Sequence, residues 1–219
     1  MSHNTAIFAA ACLSLSLITA PALADDSSNK VLTVYTYDSF VSDWGMGPLI
    51  KPTFEQQCAC TLNLVGMDDA VAMLQRLKLE GASSPADLVL GLDLNLVDDA
   101  KKSGLFTSHS VDTSSLEMPI AWQDDTFVPF DYGYFAFVYN TELMPNPPKS
   151  LDELVNAGPE LKIIIQDPRS STPGLGLLLW MKSVYGDQAD AAWAKLSDNI
   201  LTTTKGWSEA YFSLFLAGE

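Results

Sequence analysis

Short apolar runs with the composition of β-strands alternate with helical patterns along this 219-residue chain, and this order restricts the fold more than any other feature. Val31 to Tyr35 and Thr61 to Val65 have the β-branched and apolar character of strands. Asp68 to Glu80 places apolar residues at helical spacing and ends before a glycine. Ala86 to Leu92 is a buried strand, and Asp93 caps the next predicted helix. This alternation predicts an open α/β sheet.

The second half of the chain resumes the pattern after a long aromatic stretch. Phe127 to Asn140 is extended in character but is broken by a proline and a glycine, so we interpret it as the crossover between two lobes. Ser150 and Glu153 have the spacing of a capping box at the start of a helix, and Ile163 to Ile165 form a strand. Further helices are predicted over residues 173–185, 187–196 and 208–216.

The first residues have the pattern of a secretory signal peptide. Ala6 to Ile18 is an apolar core, and Ala22 to Ala24 is a small-x-small cleavage site. No Lys or Arg precedes the core, so a short buried or membrane helix is the alternative, although the run is shorter than the ~20 apolar residues that span a bilayer. We predict export to the periplasm and cleavage after Ala24. The predicted segments are a signal peptide (1–24), a first α/β lobe (25–130) and a second, partial α/β lobe (131–219).

The chain is strongly acidic, with a formal net charge of −15. A field of this sign repels nucleic acid and anionic membranes, and it favours cationic ligands. We therefore expect no nucleic-acid partner.

Two cysteines, Cys58 and Cys60, follow the predicted cleavage site. In an oxidising compartment they can pair, although a bridge between residues this close together closes a very small ring. Free thiols and a metal site are the alternatives. A metal site is disfavoured because His109 is the single histidine after the predicted cleavage site and has no cysteine nearby.

The sequence contains little that indicates catalysis. There is no G-x-S-x-G motif, and one histidine leaves little for a Ser-His-Asp triad. The adjacent acids Asp124 and Asp125 are typical of a solvated loop as much as of an acid–base pair. We predict that the protein is not an enzyme and has no catalytic residues.

Ser170 to Gly176 lies between a predicted strand and a predicted helix. Thr172 is a good N-cap and Pro173 suits the first helical position. A helix N-terminus with the hydroxyls of Ser170, Ser171 and Thr172 can bind phosphate or another anion. Capping of the helix alone explains the same residues.

Three further features have both a structural and a binding interpretation. Asp68 and Asp69 precede a helix, where one carboxylate serves as a cap and the other is free to face a cation. Trp207 is either a core residue or an aromatic lid over a heterocycle. Tyr37 and Trp44 place aromatic faces beside Asp38, which suits a flat cationic ligand.

Several separated phrases resemble those of periplasmic thiamine-binding proteins, the substrate receptors of thiamine ABC importers. The phrases are Leu32 to Phe40, Asp43 to Gly45, Ala86 to Asp93, Asp125 to Tyr139, Gln166 to Arg169, Ser171 to Trp180 and Thr204 to Tyr211. Cys58 and Cys60 also resemble the family pattern. The resemblance extends over nearly all of the chain that follows the predicted signal peptide.

The resemblance implies two α/β lobes, of the periplasmic-binding-protein type, around a cleft for thiamine and its phosphate esters. It implies that Tyr37 and Trp44 form the first-lobe wall, that Asp69 and Ala70 contact the ligand, and that Trp207 forms an aromatic wall. Ser171 and Thr172 would meet the phosphate end. Further candidates at the cleft are Asp93, Tyr132 and Ser170. The implied partners are thiamine and an inner-membrane permease, with no cofactor and a monomeric receptor.

Members of this family continue well beyond the position that corresponds to Glu219. We therefore expect an incomplete second lobe and return to the first lobe, as in a truncated, split or partial gene product. The alternatives to a thiamine receptor are a receptor for ferric iron or a polyamine, a secreted thiamine-metabolising enzyme, and a non-functional fragment.

Overall fold

A computed structural model describes residues 30–219. The predicted signal peptide and its cleavage site lie outside the described residues. Within them the chain forms two parallel β-sheets, each flanked by helices, which confirms the predicted α/β class with open sheets. No helix in residues 30–219 is long and apolar enough to cross a membrane.

The first sheet has three parallel strands in the order β2-β1-β3. They are β1 (Val31–Tyr37), β2 (Thr61–Met67) and β3 (Leu88–Val89). Parallel neighbours need crossover connections, which helices supply here. The helices are α1 (Asp38–Val41), α2 (Met46–Cys58), α3 (Ala70–Glu80), with a 3₁₀ turn at Gly81–Ser83, and α4 (Val97–Lys102).

The second sheet pairs β4 (Ile163–Gln166) with β5 (Ile200–Thr204) in parallel. Around it lie α5 (Leu151–Val155), α6 (Thr172–Tyr185) and α7 (Ala189–Leu196), with 3₁₀ turns at Gly186–Gln188 and Ser197–Asn199. The chain then passes through a π-helical segment (Glu209–Leu214) and a 3₁₀ turn (Phe215–Ala217).

Each sheet has its own apolar core. The first is centred on Tyr35, Met73 and Leu74, which are fully buried between β1 and α3. The Tyr35 hydroxyl donates to Glu80 at the end of α3, at 2.9 Å from Oε2. The second core is centred on Met181 and Leu196, which join α6 to α7. The loops after the strands therefore extend from two independently packed sheets.

Some predicted elements differ from those observed. The strand predicted over 86–92 is reduced to the two residues of β3, and the helix after it begins at Val97 instead of Asp93. The extended segment 127–140 contains no strand, and many of its aromatic side chains are exposed because no neighbouring strand covers them. The sequence patterns also missed β5 and α2.

Helix α2 ends in a covalent cap. Cys58 and Cys60 are joined by a disulfide with an S–S distance of 2.04 Å, so of the three alternatives the structure has the bridge. Ala59 between them has φ 49° and ψ 47°, the left-handed conformation that often follows the last helical residue. Pro52 lies inside α2, at a position where proline usually disfavours a helix.

Candidate ligand-binding site

Most of the candidate residues lie at or just after the carboxyl ends of parallel strands, which is where ligands bind in open α/β sheets. Tyr37 ends β1, Asp69 follows β2, Ser171 follows β4 and Trp207 follows β5. The two sheets direct these ends toward one another. The contacts below show that they form a polar half and an aromatic half.

The polar half, which we call the polar junction, consists of Asp69, Ala70, Ser170, Ser171 and Thr172. Asp69 is the N-cap of α3, and its Oδ1 accepts from the Ala70 N–H at 2.8 Å. Its Oδ2 accepts from the Thr172 N–H at 3.2 Å and lies 3.1 Å from Ser171 Oγ. A carboxylate of the first sheet thus occupies the N-terminus of α6 on the second.

A backbone hydrogen bond also joins the start of α3 to the loop before α6. The Ala72 N–H donates to the Ser170 carbonyl at 3.1 Å, and the Ser170 hydroxyl donates to the Lys205 carbonyl at 2.6 Å. Gly206 allows the next loop to approach as well, since a Cβ there would lie 2.8 Å from the Asp68 carbonyl oxygen. The loops after β2, β4 and β5 are therefore held together by direct contacts.

Ser171, and not Thr172, is the N-cap of α6. Its side chain is fully buried, and its Oγ accepts from the Gly174 N–H at 3.4 Å. The same hydroxyl lies 2.5 Å from Gln166 Oε1, so its single proton is shared between Gln166 and Asp69 as alternative acceptors. Thr172 is the first helical residue, so its N–H has no acceptor within α6 and donates to Asp69 instead.

Two buried polar atoms at the junction form no hydrogen bond of good geometry within residues 30–219, although the Thr172 side chain lies near enough to Asp93 to oppose the rise that burial causes in the pKa of that carboxyl. They are Asp93 Oδ2 and Thr172 Oγ1. The other Asp93 oxygen accepts from the Asn95 N–H at 2.8 Å. Buried polar atoms are usually paired, and these two are an acceptor and a hydroxyl that can serve each other, so a ligand hydroxyl at Asp93 would replace Thr172 as its donor.

Burial raises the pKa of both Asp69 and Asp93 above the ordinary carboxyl value. Hydrogen bonds from Ala70, Ser171 and Thr172 oppose the effect at Asp69, and the charge of Asp69 adds to the effect at Asp93. The two carboxylates are therefore close enough for their charges to repel each other. Neither forms an ion pair with any cationic side chain in the described part of the chain.

Tyr37 lies against the polar junction on the first-sheet side. Its half-buried ring packs edge-on against Phe40, with centroids 5.8 Å apart, and rests on the backbone of Gly91. Burial raises the pKa of the Tyr37 hydroxyl, and the charges of Asp131 and Asp69 raise it further. The ring thus borders a region of negative charge.

The aromatic half, which we call the aromatic cluster, consists of Trp44, Trp207, Tyr211, Phe212 and Phe215. Trp207 stacks on Tyr211 with centroids 4.7 Å apart and an interplanar angle of 12°. Phe212 packs edge-on against Trp207, with centroids 5.2 Å apart, and it packs against Trp44 at a tilt of 57°, with centroids 4.8 Å apart. Trp44 comes from the loop after α1, and it stays 58% exposed. The cluster therefore also joins the two sheets.

The structure brings together most of the candidates but not all of them. Tyr132 is 62% exposed in a segment without helix or strand. Among the described residues no hydrogen bond or aromatic contact joins it to either half of the site. Tyr211, Phe212 and Phe215 were not predicted as site residues, although the helical spacing that follows Trp207 includes Tyr211 and Phe215.

A cavity of about 700 Å³ lies behind the aromatic cluster. Trp207, Tyr211 and Phe215 form one wall, and Phe137 and Trp180 lie on another. The lining is mostly apolar, so the cavity differs in character from the acidic polar junction.

The chain is similar to known periplasmic binding proteins in sequence. Residues 83–210 match the bacterial extracellular solute-binding protein family. The chain is 57% identical to the thiamine-binding periplasmic protein of Escherichia coli K12 over 95% of its length, and 56% identical to that of Brucella suis biovar 1 over 94%. It spans 62% of the length of each of these relatives.

Solved structures agree with the sequence relatives. A periplasmic thiamin-binding protein matches with a TM-score of 0.83 and 58% identity, over 86% of this chain and 59% of that one. The iron-bound HitA of Pseudomonas aeruginosa matches with a TM-score of 0.63 and 16% identity, which concerns the fold alone.

Proposed function

The chain belongs to the bacterial extracellular solute-binding proteins, and on that premise we propose that it captures thiamine and its phosphate esters in the periplasm and delivers them to the permease of an ABC importer. It acts as a carrier and performs no chemistry. The relatives named for thiamine binding support this ligand.

The observation that carries the proposal is the pairing of an aromatic cluster with carboxylates that have no cationic partner among the described residues. Thiamine has a cationic thiazolium ring and a flat aminopyrimidine ring. A cation over an aromatic face is attracted by the ring quadrupole, and nearby carboxylates add to that attraction. One half of the site therefore fits the rings, and the other fits the charge.

In this proposal Tyr37 and Trp44 line the first-sheet wall and Trp207 lines the opposite wall. The polar junction receives the hydroxyethyl or phosphate end, through Asp69 and Ala70 on one side and Ser171 and Thr172 on the other. The first-turn N–H groups of α6 lie at that end, where the Thr172 N–H donates to Asp69 and the Gly174 N–H donates to Ser171. An anionic ester that replaced these acceptors would suit a helix N-terminus.

Calorimetric titration tests the ligand class. We expect saturable binding of thiamine, with much weaker heats for spermidine and ferric citrate, because neither offers a flat cationic ring. Stronger binding of spermidine or ferric citrate than of thiamine would refute the proposal. Incubation with thiamine followed by chromatography tests carriage against turnover, and we expect thiamine to be recovered unchanged.

A further inference from the structure

The anion-binding end of α6 already holds an anion that belongs to the chain. Asp69 Oδ2 accepts from the Thr172 N–H and lies within hydrogen-bond distance of Ser171 Oγ. These are the donors that a phosphate ester would use under the proposed function. Asp69 lies 103 residues before Thr172, so tertiary packing, and not local capping of α6, places it there.

A bound phosphate would meet more than one negative charge. Asp93 lies close enough to Asp69 for the two charges to interact. No Lys or Arg forms an ion pair with either one in residues 30–219. To reach the α6 donors, a phosphate must displace the Asp69 carboxylate and then remain beside both acids, and like charges in one site disfavour each other.

A free alcohol meets a different environment. Asp93 Oδ2 is a buried acceptor that forms no hydrogen bond of good geometry among the described residues, with the Thr172 side chain as a nearby weak donor. A neutral hydroxyl can donate to this oxygen, and the contact between Asp69 and α6 can stay intact. Such a hydrogen bond offsets the unfavourable free energy of a buried acceptor that lacks a good partner.

From these contacts we propose that Asp69 is a specificity-determining residue that sets the preference of the site between thiamine and its phosphate esters. Its carboxylate already accepts from the donors that a phosphate ester would need. It therefore shifts the binding preference toward thiamine and away from thiamine phosphate. The proposal rests on the function proposed above, and it adds a role for the side chain that simple contact with the ligand does not include.

Asp69→Asn removes the charge and keeps an oxygen that can cap α3. Thiamine and thiamine monophosphate are titrated by calorimetry into the full chain and into this variant. We expect the affinity ratio of the monophosphate to thiamine to rise about tenfold. Asp190→Asn is the matched control, since it removes an exposed carboxylate from the first turn of α7. Its ratio should equal that of the unaltered chain.

Asp69→Ser is a second variant that retains a good N-cap residue without the charge. It should change the ratio in the same direction, and thermal melts verify that both variants are folded. An unchanged or lowered ratio in the folded variants overturns the role of Asp69 and leaves the thiamine receptor in place. Absence of binding of both compounds to the unaltered chain overturns the proposed function and this inference with it.

Discussion

The polar junction and the aromatic cluster both join the two sheets, but they do so with different physics. At the polar junction, Asp69 and the start of α6 satisfy each other through hydrogen bonds of defined geometry. In the aromatic cluster, Trp207 and its neighbours stack on one another, and Trp44 stays largely exposed. The polar junction is held by hydrogen bonds between specific partners. The aromatic cluster is held by packing between rings, which depends less on the identity of each ring.

This difference separates affinity from selectivity. A ligand ring can take the place of one aromatic side chain in a stack at little cost in free energy, since stacking depends weakly on the identity of the rings. A ligand at the polar junction must replace each hydrogen bond that it breaks, because buried groups left unpaired are costly. We therefore expect the aromatic cluster to contribute most of the affinity for thiamine, and the polar junction to discriminate among its esters.

The largest effect is expected for the double variant Ser171→Ala, Thr172→Ala. It removes two hydroxyls at the proposed phosphate end, and hydrogen bonds to charged groups contribute about 1.5–3 kcal/mol each. Affinity for thiamine monophosphate should fall about 100-fold or more, and affinity for thiamine should fall much less. Calorimetry with both ligands measures the difference.

Ser150→Ala is the control for lost capping, since Ser150 is the N-cap of α5 and accepts from the Glu153 N–H at 3.1 Å. It should change the melting temperature and leave both affinities unaltered. Equal losses for the two ligands in the double variant would contradict the assignment of Ser171 and Thr172 to the phosphate end.

The next effect concerns the aromatic cluster. Trp207→Ala should weaken thiamine binding roughly 5- to 30-fold, from the usual strength of a desolvated cation–π contact. Trp207→Phe should recover part of the loss because it keeps an aromatic face. Trp122→Phe is the control, since Trp122 donates to the Phe127 carbonyl at 2.9 Å and lies outside the cluster. Unchanged affinity in Trp207→Ala would show that this residue is only structural.

A smaller effect is expected from the buried charge of Asp93. Burial raises its pKa in the folded protein, so the folded state binds the proton more tightly than the unfolded state. The folded state is thus favoured below the ordinary carboxyl pKa, and that advantage is lost as pH rises through the raised value. Asp93→Asn should therefore raise the melting temperature at pH 7 by about 1–4 °C relative to its effect at pH 3.5.

Asp112→Asn provides the opposite sign. Hydrogen bonds from Ser114 lower the pKa of Asp112, so its contribution to stability is present above the ordinary value and lost as pH falls. This variant should be slightly less stable than the unaltered chain at neutral pH, as measured by the same melts. A higher melting temperature at pH 7 for both variants would show that net charge, and not local burial, determines how stability depends on pH.

The smallest effect is expected for Tyr37→Phe. The wall is formed by the ring, which rests on Gly91 and packs against Phe40. Removal of the hydroxyl should change the dissociation constant for thiamine less than about twofold. A loss of tenfold or more in fluorescence titrations would instead assign the Tyr37 hydroxyl a direct contact with the ligand.

The sequence predicted the features that depend on local chemistry. β-branched runs identified β1 and β4, and capping residues located the start of α5 and nearly that of α6. The hydroxyls before α6 also predicted residues that the fold brings next to Asp69, and their role in binding stays a prediction. In these cases the signal lies within a few residues, and tertiary contacts reinforce it.

Other features depend on contacts between distant residues. Helix α2 was not predicted, and it forms although Pro52 lies inside it. The segment 127–140 has strand composition, but composition cannot specify a pairing partner. The occupation of the α6 N-terminus by Asp69 joins residues that are 103 apart, so only the folded chain could reveal it.

A crystal structure of the chain with bound thiamine tests the central claim most directly. We expect the thiazolium ring against the face of Trp207, with Tyr37 on the opposite wall and the hydroxyethyl end directed toward Asp93 and the start of α6. Electron density for thiamine in the apolar cavity beside Phe137 and Trp180, with the polar junction and the aromatic cluster unaltered, would contradict the account.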